Sequence, residues 1–119
     1  MSESVTGRFF YFIPSCANVD HRLADRLRGA PLVLFDGTLF SDDEMIAVGL
    51  STKTGTRMGH ISISGPHGSL AALDSLRINR RIFLHINNSN PILRRDSRER
   101  ATVEAAGWEI AEDGMEIAL

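Results

Sequence analysis

RIFLHINNSNPIL, residues Arg81 to Leu93, decides how this chain is read. After Arg81, the run Ile82-Phe83-Leu84 suits a buried strand, because short apolar runs rich in β-branched and aromatic residues pack between layers. His85 follows at once, and after Ile86 comes a polar knot of Asn87, Asn88, Ser89 and Asn90, closed by Pro91. A strand that stops on a histidine and turns into an Asn/Ser loop delivers its imidazole to a rim, not to a core. In open α/β sheets the rim outside the carboxyl ends of the strands is where sites are built. The stretch is half of a site, and its other half has to come from elsewhere in the chain.

Upstream, Arg8 to Ile13 (RFFYFI) is an apolar-aromatic run stopped by Pro14 and predicts a buried strand. Asp20 to Arg28 carries Leu23, Ala24 and Leu27 at helical spacing, with Gly29 as its stop. Pro31 to Phe35 (PLVLF) predicts a second buried strand that runs into Asp36-Gly37-Thr38. Ser41 with Glu44 forms a capping-box pattern and predicts a short helix towards Leu50. From Ser51 to Gly68 no period is evident, and a loop of that length in a compact domain is more often functional than idle. Leu70, Leu73 and Leu76 mark a helix before the Arg81 stretch. Asp96-Ser97-Arg98-Glu99 caps another, which runs through Val103 to Ala106 and stops at Gly107. Trp108 to Ala111 and Met115 to Leu119, joined through Asp113-Gly114, predict a terminal hairpin. Strands alternating with helices imply a mainly parallel sheet covered by helices, in one α/β domain without repeats or linkers.

Composition narrows the function classes. A formal charge of -2 and a pI near 6.0 argue against a nucleic-acid surface, which should be basic. No apolar run approaches the roughly 20 residues of a membrane helix, and MSESVTGR has no signal-peptide core. The expectation is a cytoplasmic protein. The single cysteine, Cys16, excludes an internal disulfide framework and a four-Cys zinc site. It reads best as a small packed residue.

Two predicted strands end in a residue able to hold a metal, Asp36 and His85. Parallel neighbours present their carboxyl ends on one side, and His60, in the intervening loop, is within reach of the same rim. Imidazole with carboxylate suits zinc, iron, manganese or cobalt better than calcium or magnesium. Each residue also has a plain structural reading. Asp before Gly-Thr suits an Asx-turn, His85 suits a bond to the Asn loop, and His60 suits a loop residue bonded to backbone. The asparagines suit turns, and His21 and His67 suit the surface. Catalytic metal sites usually take at least three protein ligands, and this set is short of that.

The runs FDGTLFSDDEM, RMGHISISGPHGSL, IFLHINNSNPIL and VEAAGWEIAEDGMEIAL closely resemble the pyrroloquinoline quinone biosynthesis protein B family. The resemblance begins near Gly7, takes in YFIPSCA and continues to Leu119, but covers only the carboxyl-terminal part of the family. It implies a partial domain over residues 1–119: the C-terminal half of a metallo-β-lactamase-like αββα sandwich, a mixed sheet with helices on one face. It implies Asp36 and His85 as metal ligands, His60 as a polar catalytic residue beside the metal, and Asn87 and Asn88 as groups shaping the substrate pocket. It implies a divalent metal, iron(II) with zinc as the alternative, and a role in making pyrroloquinoline quinone. The family is similar to an iron-dependent oxygenase that hydroxylates the tyrosine ring of a Glu-Tyr-derived precursor. A carrier for the cofactor or its precursor towards the periplasm, and a hydrolase of the same fold, are the alternatives. The implied partners are the precursor and either the missing N-terminal half or a second copy of the chain.

Overall fold

The computed structural model describes residues 2–3, 9–43, 49, 54, 59–87 and 89–112. At its centre are four parallel strands: β2 (Phe9–Ile13), β3 (Leu32–Asp36), β4 (Arg80–Leu84) and β5 (Glu109–Ile110). A short β1 (Ser2–Glu3) pairs antiparallel with β2 and makes the sheet mixed. The polar N-terminus gave no sign of this strand, since Ser-Glu lacks strand-forming residues and is held by its partner alone.

The parallel strands are joined by helices: α1 (His21–Leu27), α2 (Ser69–Leu73, continued by a 3-10 turn at Asp74–Leu76) and α3 (Arg98–Ala105). Each strand lies beside its predecessor in the order β1-β2-β3-β4-β5. Crossovers between parallel strands are right-handed, so a sheet that grows steadily in one direction places successive helices on the same face. The core follows that rule. In register across the sheet, Tyr11, Val33 and then Ile13, Phe35, Phe83, Ile110 line one face. They share a single cluster with Leu23 and Leu27 of α1, Leu70 and Leu73 of α2, and Val103 of α3. Trp108 closes the cluster, stacked on Phe83 at 4.0 Å between centroids and 13° between planes. Leu32 and Ile82, on the other face, are also buried, whereas Phe12 on that face is 45% exposed.

Local chemistry sets the element ends. The Asp20 side chain accepts the Leu23 amide and starts α1, and Ser97 does the same for α3 through the Arg100 amide. Gly107, at φ +88°, ends α3 in a conformation that suits glycine. Residues 59–64 are less irregular than the sequence suggested. Ile61 and Ile63 alternate with Ser62 and Ser64, both isoleucines are buried, and Leu39 bridges Ser62 in parallel. The alternation in HISIS is a strand-like signal lost in a glycine- and serine-rich setting. Of the expected elements, the helix opening at Ser41 towards Leu50 lies mostly outside the described residues, and the strand Met115 to Leu119 wholly so. The first arm of the expected hairpin is β5, paired with β4.

Candidate functional site at the ends of the central strands

β3 and β4 run in register with Asp36 opposite Leu84, so the turns that leave them meet at one rim. Backbone and side-chain hydrogen bonds join these turns. The Gly37 amide donates to Leu84 O at 2.8 Å, and the Asn87 amide donates to Thr38 O at 3.0 Å. The Asn90 side chain, 2% exposed, donates to Gly37 O at 2.9 Å and accepts the Ile92 amide at 3.0 Å. Gly37 is needed for the close approach: a Cβ there would lie 2.8 Å from Phe83 Cβ and 3.0 Å from Leu84 O. His85 turns the chain at φ +62°, the left-handed region that non-glycine residues seldom occupy. Such backbone is kept when its surroundings fix it and is concentrated at functional sites.

Asp36 is fully buried and acts as a hub. Its Oδ1 accepts from the Thr38 amide at 3.0 Å and from the Thr38 hydroxyl at 2.6 Å. Its Oδ2 accepts from the Cys16 amide at 3.0 Å and pairs with His60 Nδ1 at 2.9 Å. The Thr38 hydroxyl also lies 3.2 Å from His60 Nδ1. The Asx-turn reading of Asp36 is therefore present in the structure, and the same carboxylate also reaches β2's exit and the His60 loop. Ile61, next to His60, anchors that loop by donating to Cys16 O.

The Asp36–His60 couple borders a shallow depression of about 360 Å³ lined by Thr38, His60, His85, Ile86 and Asn87. The structure thus brings His60, His85 and Asn87 together. Asp36 stands behind His60, beneath the surface, with both oxygens taken by donors. Asn88 lies outside the described residues. A larger depression of about 550 Å³, lined among others by Asn18, Asp42, Ser62 and His67, contains none of the candidate residues. Among the described residues no group of three or more His, Cys, Asp or Glu stands ready to hold a metal. The donor chemistry at the rim, two imidazoles, suits a divalent transition metal, but as a set it is partial.

Cys16 contributes its backbone amide to the site, not its thiol. Burial pushes the thiol pKa up, against a smaller lowering effect of the Asn18 backbone, and the nearby Asp36 adds to the rise. That disfavours the nucleophilic thiolate. Thr38 is the residue the sequence reading passed over, whereas Asn90, expected as a turn former and supporting donor, has that place. Their signals were present: a hydroxyl two residues after a strand-ending Asp, and an Asn directly before Pro, a favoured helix-capping pair.

With the geometry in place, comparison with known proteins adds the lineage. Residues 3–86 match the model described as "Beta-lactamase superfamily domain". This chain belongs to the beta-lactamase superfamily. It is similar to coenzyme PQQ synthesis protein B from Rhizobium meliloti, with 60% identity over 114 residues, 96% of this chain and 37% of the relative. It is similar also to the protein of that name from Xanthomonas oryzae pv. oryzae, with 55% identity over 109 residues, 92% of this chain and 36% of the relative. A crystal structure described as Zn(2+)-bound PqqB from Methylobacterium extorquens superposes with a TM-score of 0.94 at 51% identity, covering 98% of this chain and 42% of that one. The chain spans only 36% to 39% of the length of these curated relatives and matches their carboxyl-terminal part. The expected family resemblance and the mixed sheet with helices on one face both stand.

Proposed function

We propose that this chain is the carboxyl-terminal share of a protein of pyrroloquinoline quinone biosynthesis, and that its rim forms one wall of a metal-dependent oxygenase site acting on a Glu-Tyr-derived precursor. The observation that carries the reading is the meeting of His60, His85 and Asn87 at one depression, in a chain 50% to 60% identical to PQQ synthesis B proteins. In this reading His85 offers an imidazole and Asp36 a carboxylate to a divalent metal, iron(II) in the working enzyme, with zinc as the alternative. Because the described residues hold no complete donor set, the remaining ligands come from the portion of the relatives that this chain does not span, or from a second copy. When bound, the metal supplies Lewis acidity and, as iron(II), the redox capacity for oxygen insertion.

The chain's own residues do the rest. His60 presents an imidazole that takes up or gives back a proton at the substrate's edge, and Asn87, whose amide nitrogen donates to Ser89 Oγ at 2.7 Å, shapes the wall beside it. Asn88 is proposed as its neighbour in that wall. No helix among the described residues is long and apolar enough to cross a membrane; a cytoplasmic location is part of the proposal.

The test is precursor turnover by protein purified from its own cells, under air and under argon. Oxygen-dependent hydroxylation that is lost in His60→Ala and His85→Ala supports the reading. Turnover under argon points to a hydrolase instead, and unchanged precursor recovered from a tight complex points to a carrier.

A further inference from the structure

We infer that the larger depression, between the exit of β2 and the loop that opens α2, is a recognition subsite for the zwitterionic head of an α-amino acid. This rests on the proposed function for its place in catalysis, and it deepens that reading by giving the substrate a second foothold beside the rim. The two depressions share a wall. His60 lines the smaller one, and the residues that follow it, Ile61 and Ser62, line the larger. A ligand seated in the larger depression therefore has the His60 loop at its side.

The wall is already built. The Ser64 amide donates to Phe40 O at 2.9 Å, the Ser69 amide to Ser62 O at 2.8 Å and the Gly68 amide to Gly65 O at 3.1 Å. The Ile61 amide ties the same loop to Cys16 O, next to Ala17 and Asn18 of the lining. Small-molecule sites are mostly preformed concavities of this kind, with a few placed polar groups on an apolar floor. At about 550 Å³ the space admits a head group together with the start of its side chain.

A count of donors and acceptors gives the ligand class. The Ser62 hydroxyl gives its hydrogen to Ser64 O at 3.0 Å, and the Ser64 hydroxyl to Phe40 O at 2.6 Å. A carbonyl can only accept, so each hydroxyl has spent its donor and has lone pairs alone to offer a ligand. Asp42 adds a carboxylate to the same lining. Against these acceptors stand the Asn18 carboxamide and the His67 imidazole, both exposed and outside the bonds that hold the wall. The first has an NH₂, and the second an N–H in either tautomer. The lining thus offers lone pairs and a negative charge to a cation, and neutral donors to an anion. An ammonium and a carboxylate on one carbon answer both sets. A carboxylate alone would meet Asp42 as a like charge, and an amine alone would leave Asn18 and His67 unused.

The experiment is a ¹H–¹⁵N correlation titration of the ¹⁵N-labelled chain with probes that share one ring: L-phenylalanine, 3-phenylpropionate, which lacks the ammonium, and phenethylamine, which lacks the carboxylate. The expected result is a saturable shift of the Asn18 side-chain NH₂ and of the Ser64, Gly65 and Gly68 amides with L-phenylalanine. Either truncated probe should bind at least about tenfold more weakly, since each leaves polar groups of the site without a charged partner. Asn18→Ala and His67→Ala alter exposed residues, and should weaken L-phenylalanine binding several-fold while the rest of the spectrum stays that of the parent. Shifts that fail to appear or to saturate, that fall only on Thr38, His85 and Asn87, or that 3-phenylpropionate matches at equal concentration overturn the inference, and none of these results depends on a variant that folds. No metal and no turnover enter the titration. A saturating head group in a protein without oxygen-dependent hydroxylation refutes the proposed oxygenase and leaves the subsite standing. Hydroxylation by a protein whose Asn18 and Gly65 signals never move does the reverse.

Discussion

Asn90 is where the rim is most exposed to a single change, and the size of the effect can be worked from its contacts. Replacing it with alanine leaves Gly37 O without its side-chain donor and the Ile92 amide without its acceptor, both at a residue only 2% exposed. Stranding a buried polar partner costs about 1–3 kcal/mol, so Asn90→Ala should lose about 3 kcal/mol. With an unfolding entropy of roughly 2.1 cal/mol/K per residue over 119 residues, that lowers the thermal midpoint by about 12 °C. Asn90→Asp is the sharper probe. It keeps the acceptor for Ile92 but sets a carboxylate oxygen against Gly37 O, where only a donor fits. The folded state then favours the protonated acid and raises its pKa. Stability should be recovered below the ordinary carboxylate range and lost as pH rises through the raised value. Urea unfolding read by the fluorescence of Trp108, the sole tryptophan, measures both variants between pH 4 and 8. A loss under ~1 kcal/mol for the alanine variant, or a flat pH profile for the aspartate one, would show that the stitching is not what holds the rim.

Gly37→Ala should cost about 1–3 kcal/mol through overpacking, because Phe83 Cβ and Leu84 O are core and backbone atoms with little room to retreat; a calorimetric midpoint within error of the parent would refute the close approach. At His85 the left-handed backbone costs a side-chain-bearing residue about 1 kcal/mol, which glycine relieves and partly returns through chain entropy. His85→Gly should therefore unfold at or slightly above the parent's urea midpoint, and His85→Val well below it. At the other end of the sheet, Arg80 Nε donates to Glu109 at 2.7 Å, and this hydrogen bond holds the Glu109 pKa below its usual value. Its stabilisation is present above the unfolded carboxylate pKa and is lost as pH falls through the lower folded one. Arg80→Gln should flatten the acid limb of the stability profile, and an unchanged limb would remove the pair from the account.

The layout was legible in the sequence because the strand runs are unambiguous. PLVLF and Ile82-Phe83-Leu84 are apolar throughout, as strands covered on both faces must be, and the capping residues Asp20 and Ser97 sit where the helices begin. β3 spans Leu32–Asp36, so it ends on the aspartate as the sequence implied, and the carboxylate there is buried. What hydrophobic pattern could not give is the set of donors meeting that carboxylate, since they come from Cys16, Thr38 and His60. The meeting of His60 with Asp36 was legible only as a common rim. Their pairing depends on the Cys16 and Ile61 contacts between segments distant in sequence, and no local pattern encodes those.

Because neighbouring strands in the sheet are also neighbours in the chain, no strand has to be inserted between two that have already paired. The sheet can be laid down in the order in which it is synthesised, each crossover adding one row. The Asp36–His60 couple belongs to the rows complete before residue 80, whereas the ties from Leu84, Asn87 and Asn90 arrive with the next one. The pocket wall is therefore a product of late assembly: the histidine is aimed first, and the surface it faces is closed around it afterwards.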